Sequence, residues 1–102
     1  RHPEIGYRIA LSSPELASVA DLILQCRERW DGTGYPQGLR GEEIHLLCRI
    51  LAVVEAYEVM TTDRPCRRAL SHQEAVAELK RGAGKQFDPK LVEIFLGLIG
   101  DS

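Results

Sequence analysis

At 102 residues the chain has room for one domain. Its 44% hydrophobic and 27% charged residues are those of an ordinary globular protein, and 13 basic against 15 acidic residues leave a net charge of −2, which excludes a broad basic field for DNA. No apolar run approaches the roughly 20 residues that span a bilayer, and Arg1-His2-Pro3 is not the start of a signal peptide, so a cytoplasmic protein is expected.

Ile5, Ile9 and Ala10 repeat at helical spacing with nothing ahead to cap or cover them, which reads as a boundary inside a longer protein. Ser13 and Pro14 then suit the N-cap and first position of a second helix, running to about Arg27 with Leu16, Val19, Ala20, Ile23 and Leu24 as its apolar stripe. There follows the stretch Arg29-Trp30-Asp31-Gly32-Thr33-Gly34-Tyr35-Pro36-Gln37-Gly38-Leu39-Arg40-Gly41. Asp31-Gly32 is a turn dipeptide, because glycine accepts positive φ without a Cβ clash. Tyr35-Pro36 reads as extended, since proline disfavours the α region for the residue before it. Trp30, Tyr35 and Leu39 argue for an ordered loop packed on the domain.

Glu42 and Glu43 suit the positive end of a third helix, about Glu43 to Met60. Ile44, Leu47, Ile50, Leu51, Val54 and Val59 are expected to face a core, with Ala52, Val53 and Ala56 widening the apolar surface to that of a central helix. Arg64-Pro65 forbids its continuation. Ser71-His72-Gln73-Glu74 is a capping box opening a fourth helix that ends near Gly82, and Asp88-Pro89 caps a fifth, carrying Leu91, Val92, Phe95, Leu96 and Ile99. No strand-like alternation appears, so the fold should be an all-α helical bundle of about five helices, with the glycine-rich loop between the second and third. Cys26, Cys48 and Cys66 are odd in number and contain no C-x-x-C pair, a pattern expected of reduced thiols.

Taken together, His2-Pro3-Glu4-Ile5-Gly6, Glu28-Arg29-Trp30-Asp31-Gly32-Thr33-Gly34-Tyr35-Pro36, Ile50-Leu51-Ala52-Val53, Asp63-Arg64-Pro65 and Gln86-Phe87-Asp88-Pro89 resemble the HD-GYP family, a branch of the HD superfamily of metal-dependent phosphohydrolases. The resemblance covers residues 1–102 and implies an HD-domain, phosphodiesterase-like bundle acting in bacterial cyclic-di-GMP signalling. It also implies that the helices bearing the family's His-Asp pair lie upstream of the stretch seen here.

For the metal site the resemblance implies His2 as a ligand, places Cys26 and Arg27 where the family has two adjacent histidines, and places Glu55 and Glu58 where it has aspartates. Glu55 still offers a carboxylate oxygen to a hard cation, and Cys26 offers a thiolate only to a soft one. Arg27 cannot ligate, since its guanidinium is always charged. His2 and Glu55 are then vestigial, and no catalytic residue, metal or other cofactor is expected to function. Matching positions put Tyr35, Arg64 and Arg67 at the family's nucleotide cleft, where arginine forks suit phosphate oxygens.

The reading that follows is a catalytically inactive regulatory module. Its partner loop is Asp31, Gly32, Gly34, Tyr35 and Pro36, and its expected partners are a diguanylate cyclase domain, a response-regulator or sensor domain of the same protein, or cyclic-di-GMP itself. A homodimer through the first and central helices is also expected. The alternative is an active cyclic-di-GMP phosphodiesterase using iron, manganese or another divalent metal, with the remaining ligands upstream.

Overall fold

The structure, a computed structural model, describes residues 5, 7–9 and 17–100. Ile5 and residues 7–9 are helical. The remaining described helices are α1 (Ala17–Gln25), a 3-10 turn (Gly41–Glu43), α2 (Leu46–Met60), α3 (His72–Gly82) and α4 (Pro89–Ile99). Among the described residues there is no strand, only isolated bridges between Arg64 and Arg67 and between Ala83 and Phe87. None of the described helices is long and apolar enough to cross a membrane. The expected starts at Ser13 and Pro14, and Leu16 of the second helix's stripe, lie outside the described residues.

Helices α2, α3 and α4 begin where the sequence satisfies the first free amides. In α3 the Ser71 hydroxyl accepts from the Glu74 amide at 3.1 Å, and the Glu74 carboxylate accepts from the Ser71 amide at 2.9 Å, as the capping box requires. In α4 the Asp88 carboxylate accepts from the Lys90 and Leu91 amides at 2.9 and 3.4 Å, and Pro89 holds the first position. The central helix starts later than Glu43. Glu43 instead accepts from the Arg40 amide at 2.9 Å to close the 3-10 turn, and His45 Nδ1 caps α2 by accepting from the Leu47 amide at 3.0 Å.

Helices α2, α3 and α4 pack on one another around Val53, Val76, Leu79, Phe87, Val92 and Leu96, with Ala52, Ala56, Tyr57, Met60, Leu91 and Phe95 against them. Leu79 is fully buried, and its truncation to alanine should leave a cavity costing about 2–5 kcal/mol. The turn from α2 to α3 is closed by the Leu70 amide on the Met60 carbonyl at 2.7 Å and by the Ala69 amide on Asp63 at 2.7 Å.

Two expectations are corrected. Ile44 is buried, but Leu47, Ile50, Leu51 and Val54 of α2 are exposed, because the core is reached from Cys48, Val53 and the alanine face. The core of the described residues is therefore smaller than the apolar surface of α2. Ile99 and Val19 also lie partly in solvent, whereas Val92 and Leu96 of α4 are buried as expected.

The second correction concerns the thiols. Cys26 and Cys48 form a disulfide, with Cα atoms 4.7 Å apart, and only Cys66 is free among the described cysteines. The pair is separated by 22 residues in sequence, so nothing in the local spacing announces it. It exists because the end of α1 lies beside the start of α2, within the separation a disulfide can bridge.

Candidate functional site

The glycine-rich loop leaves α1 at Glu28, which is 8% exposed although charged. Its two carboxylate oxygens accept from the Gln37 and Leu39 amides at 2.9 and 3.0 Å, so one side chain fixes the far limb of the loop. Such charge-assisted bonds are about twice as strong as neutral ones. The near limb is tied to the α3–α4 turn, where the Trp30 amide donates to the Gln86 carbonyl at 3.2 Å and the Asp31 amide to Lys85 at 2.8 Å. The Gly41 amide closes the base on the Trp30 carbonyl at 2.9 Å.

At the tip, Asp31 accepts from the Thr33 hydroxyl at 2.6 Å and from the Thr33 amide at 3.1 Å. These bonds, together with the Arg29 guanidinium, hold the Asp31 carboxyl below the usual aspartate range. Gly32 sits at φ 83°, as the Asp-Gly turn requires. Gly34 is needed for a different reason. A Cβ there would stand 2.6 Å from the Arg29 nitrogen and 2.7 Å from the Glu28 Cα, so the loop crosses its own stem at backbone distance. The Tyr35–Pro36 peptide is cis. Tyr35 stands 58% exposed, with the Arg27 guanidinium 4.2 Å from its ring centroid and hydrogen-bonded to its hydroxyl.

Behind the loop lies a cleft of about 490 Å³ lined by Cys26, Arg27, Glu28, Glu55, Glu78 and Phe87, with Ala52 and Ala56 of α2 also lining it. A smaller hollow of about 260 Å³ adjoins it through Glu55 and Val59, and takes in Glu58, Thr62 and Arg64. The structure therefore brings Cys26, Arg27 and Glu55 into one cleft and Glu55, Glu58 and Arg64 into the next. Arg67 is turned to the α2 terminus, donating to the Val59 carbonyl at 3.2 Å, and Tyr35 lines neither hollow. His2 lies outside the described residues.

Among the described residues, Cys26 and Arg27 offer no donor to a hydrolytic metal. Cys26 has its sulfur in a disulfide rather than available as a thiolate, and Arg27 holds a fixed positive charge at the same wall. Among the described residues no three His, Cys, Asp or Glu side chains are grouped to hold an ion.

Residues that the sequence reading did not single out do much of the positioning. Glu28 is one. Arg49 is another: its Nη1 pairs with the buried Asp88 carboxylate at 2.8 Å and its Nε donates to the Ile44 carbonyl at 2.8 Å, tying the exit of the loop to the start of α4. A lone arginine within an apolar helix was the available signal. Tyr57 and His72 are a third case, joined at 2.8 Å, with His72 Nε2 2.5 Å from the Gly100 carbonyl.

Residues 1–91 match the HD domain family. The chain is 39% identical to a cyclic di-GMP phosphodiesterase of Thermotoga maritima over 96% of its own length and 27% of that protein. It is 41% identical to a cyclic di-GMP phosphodiesterase response regulator of Xanthomonas campestris pv. campestris, over 94% of the chain and 26% of the relative. A solved structure of a cyclic GMP-AMP specific phosphodiesterase from V. cholerae superposes with a TM-score of 0.71 at 30% identity, covering 95% of this chain and 22% of that one. The chain thus spans about a quarter of the length of these relatives. It belongs to the HD domain family and is homologous to cyclic-di-GMP phosphodiesterases of the HD-GYP type.

Proposed function

We propose that this domain is a regulatory, partner-binding module of a cytoplasmic bacterial cyclic-di-GMP signalling protein, working through the Asp31–Pro36 loop without hydrolysing nucleotide. The observation that carries this reading is the state of the two residues before Glu28. Cys26 is consumed in a disulfide and Arg27 is engaged with Tyr35, so neither offers a donor to a metal. The loop itself is held by hydrogen bonds of Glu28, Trp30, Asp31 and Gly41. A rigid loop presenting a half-exposed tyrosine is suited to recognition, because little ordering entropy remains to be lost on binding. The partner proposed is a diguanylate cyclase domain, or a receiver or sensor domain of the same protein.

The test is immobilised chain against a purified diguanylate cyclase domain, comparing wild type with Tyr35→Ala and, on the α2–α3 turn, Arg68→Ala. Truncating a half-exposed aromatic anchor should weaken binding at least about tenfold, with Arg68→Ala close to wild type. Equal affinity of all three would remove the loop from the interface. The second reading is an active phosphodiesterase, favoured by the open cleft that Glu55 shares with its neighbouring hollow. It requires iron, manganese or another divalent ion held by groups beyond those described.

A further inference from the structure

The disulfide does more than take Cys26 out of the donor set. Cys26 and Cys48 close a covalent ring around residues 27–47, which contains the whole glycine-rich loop, including both limbs fixed by Glu28. Its two sulfurs are not equivalent. Cys26 is exposed at the rim of the cleft, whereas Cys48 is 3% exposed beneath α1. The Cys48 sulfur lies 3.1 Å from the Leu22 carbonyl oxygen. A disulfide sulfur has no proton to donate to that carbonyl, but a thiol has. The reduced form of Cys48 thus has a hydrogen-bond acceptor already in place.

We infer that Cys26–Cys48 is a thiol–disulfide exchange site for low-molecular-weight thiols, and that its redox state sets the mobility of the glycine-rich loop. The thiolate of an incoming thiol attacks the exposed Cys26 sulfur. A bond forms between the two, the Cys26–Cys48 bond breaks, and its electron pair leaves on Cys48. Cys48 takes up the proton that the incoming thiol released, and donates it to the Leu22 carbonyl. A second thiol then attacks the mixed disulfide at the incoming sulfur and frees Cys26. Two thiols are oxidised to one small disulfide while the protein gains two electrons and two protons, and the same small disulfide is the oxidant in the reverse direction. Where intracellular disulfides occur outside hyperthermophiles, they are usually of this transient, sensing kind. Opening the ring releases the unfolded chain from a closure constraint and leaves the loop held by noncovalent contacts alone.

The test uses wild type and a Cys66→Ser form, in which only the pair remains, equilibrated in glutathione buffers of graded potential. Alkylation and mass spectrometry read the thiols, and amide hydrogen exchange reads the loop. The expected result is a single two-electron transition, with transient glutathione adducts on Cys26 in at least about tenfold excess over Cys48, as access dictates. Reduction should lower the unfolding midpoint by about 5 °C or more. It should also speed exchange across residues 30–43 while leaving α3 and α4 unchanged. Adducts chiefly on Cys48, two free thiols in Cys66→Ser under fully oxidising buffer, or loop exchange that is the same in both states would each overturn the inference. None of these readouts involves nucleotide or a protein partner. Adducts on Cys48 or unchanged loop exchange bear on this inference alone, whereas two free thiols under oxidising buffer would also remove the disulfide that the proposed function draws on.

Discussion

Glu28 is a carboxylate buried for the sake of two amides that belong to another part of the loop. Replacing it by glutamine keeps the shape and one acceptor oxygen but turns the second into a carboxamide NH2, which donates and cannot accept from an N–H. The orphaned amide should cost about 1–3 kcal/mol in urea unfolding, with faster hydrogen exchange at Gln37 or Leu39. Unchanged stability would mean that the far limb is held by something else. Glu28 was visible in the sequence only as part of a motif, because its partners lie nine and eleven residues on, a spacing that matches no helix or turn rule. Asp31-Gly32 was legible for the opposite reason, since an Asp-Gly turn is decided by its own two residues. Gly34 falls between the two cases. Its presence was plain, but the need for it arises where the loop crosses its stem.

The start of α3 could be read from four letters and that of α4 from two, because a cap is local chemistry. The start of α2 could not. Two acidic residues look like the opening of a helix, yet Glu43 is spent on a single turn and the cap falls to His45, whose own amide donates to Gln25 of α1 at 2.7 Å. That contact joins elements twenty residues apart and leaves no trace in the pattern. The Arg49–Asp88 pair is of the same kind, with side chains 15% and 6% exposed. Asp88→Ala removes both the α4 cap and the counter-charge of a part-buried arginine, and should destabilise by about 3–5 kcal/mol. Asp88→Asn keeps the cap and should lose less. Thermal unfolding of the two variants, compared with wild type, separates the contributions. Equal losses would show that the cap adds nothing beyond the charge, and an Asp88→Asn variant as stable as wild type would show that the charge does nothing.

For the molecule as a whole, the helical class and the identity of the packed helices were legible, but the direction of the central helix's apolar surface was not. Hydrophobic spacing says that a face is to be covered and leaves open by what. Leu46, Leu47, Ile50, Leu51 and Val54 of α2 are each between 39% and 50% exposed, and Ile94 and Leu98 of α4 add to them. Ile50, Val54, Ile94 and Leu98 line one apolar groove of about 260 Å³. Leaving such side chains in water forgoes about 1.5–3 kcal/mol for each that could be fully buried, against a total stability of about 5–15 kcal/mol for a domain of this size. The isolated chain should therefore self-associate at micromolar concentration as a two-fold dimer, with Ile50→Asp shifting it to monomer in sedimentation. A wild-type monomer that unfolds cooperatively would show that the face tolerates water. The central claim is that the domain recognises without hydrolysing, and the most direct test is cyclic-di-GMP turnover by the reduced chain with manganese or iron(II) added. Reduction ensures that the disulfide alone cannot account for inactivity. The account predicts no product above the metal-only background. Product formation that is lost in Glu55→Gln or His2→Ala would contradict it.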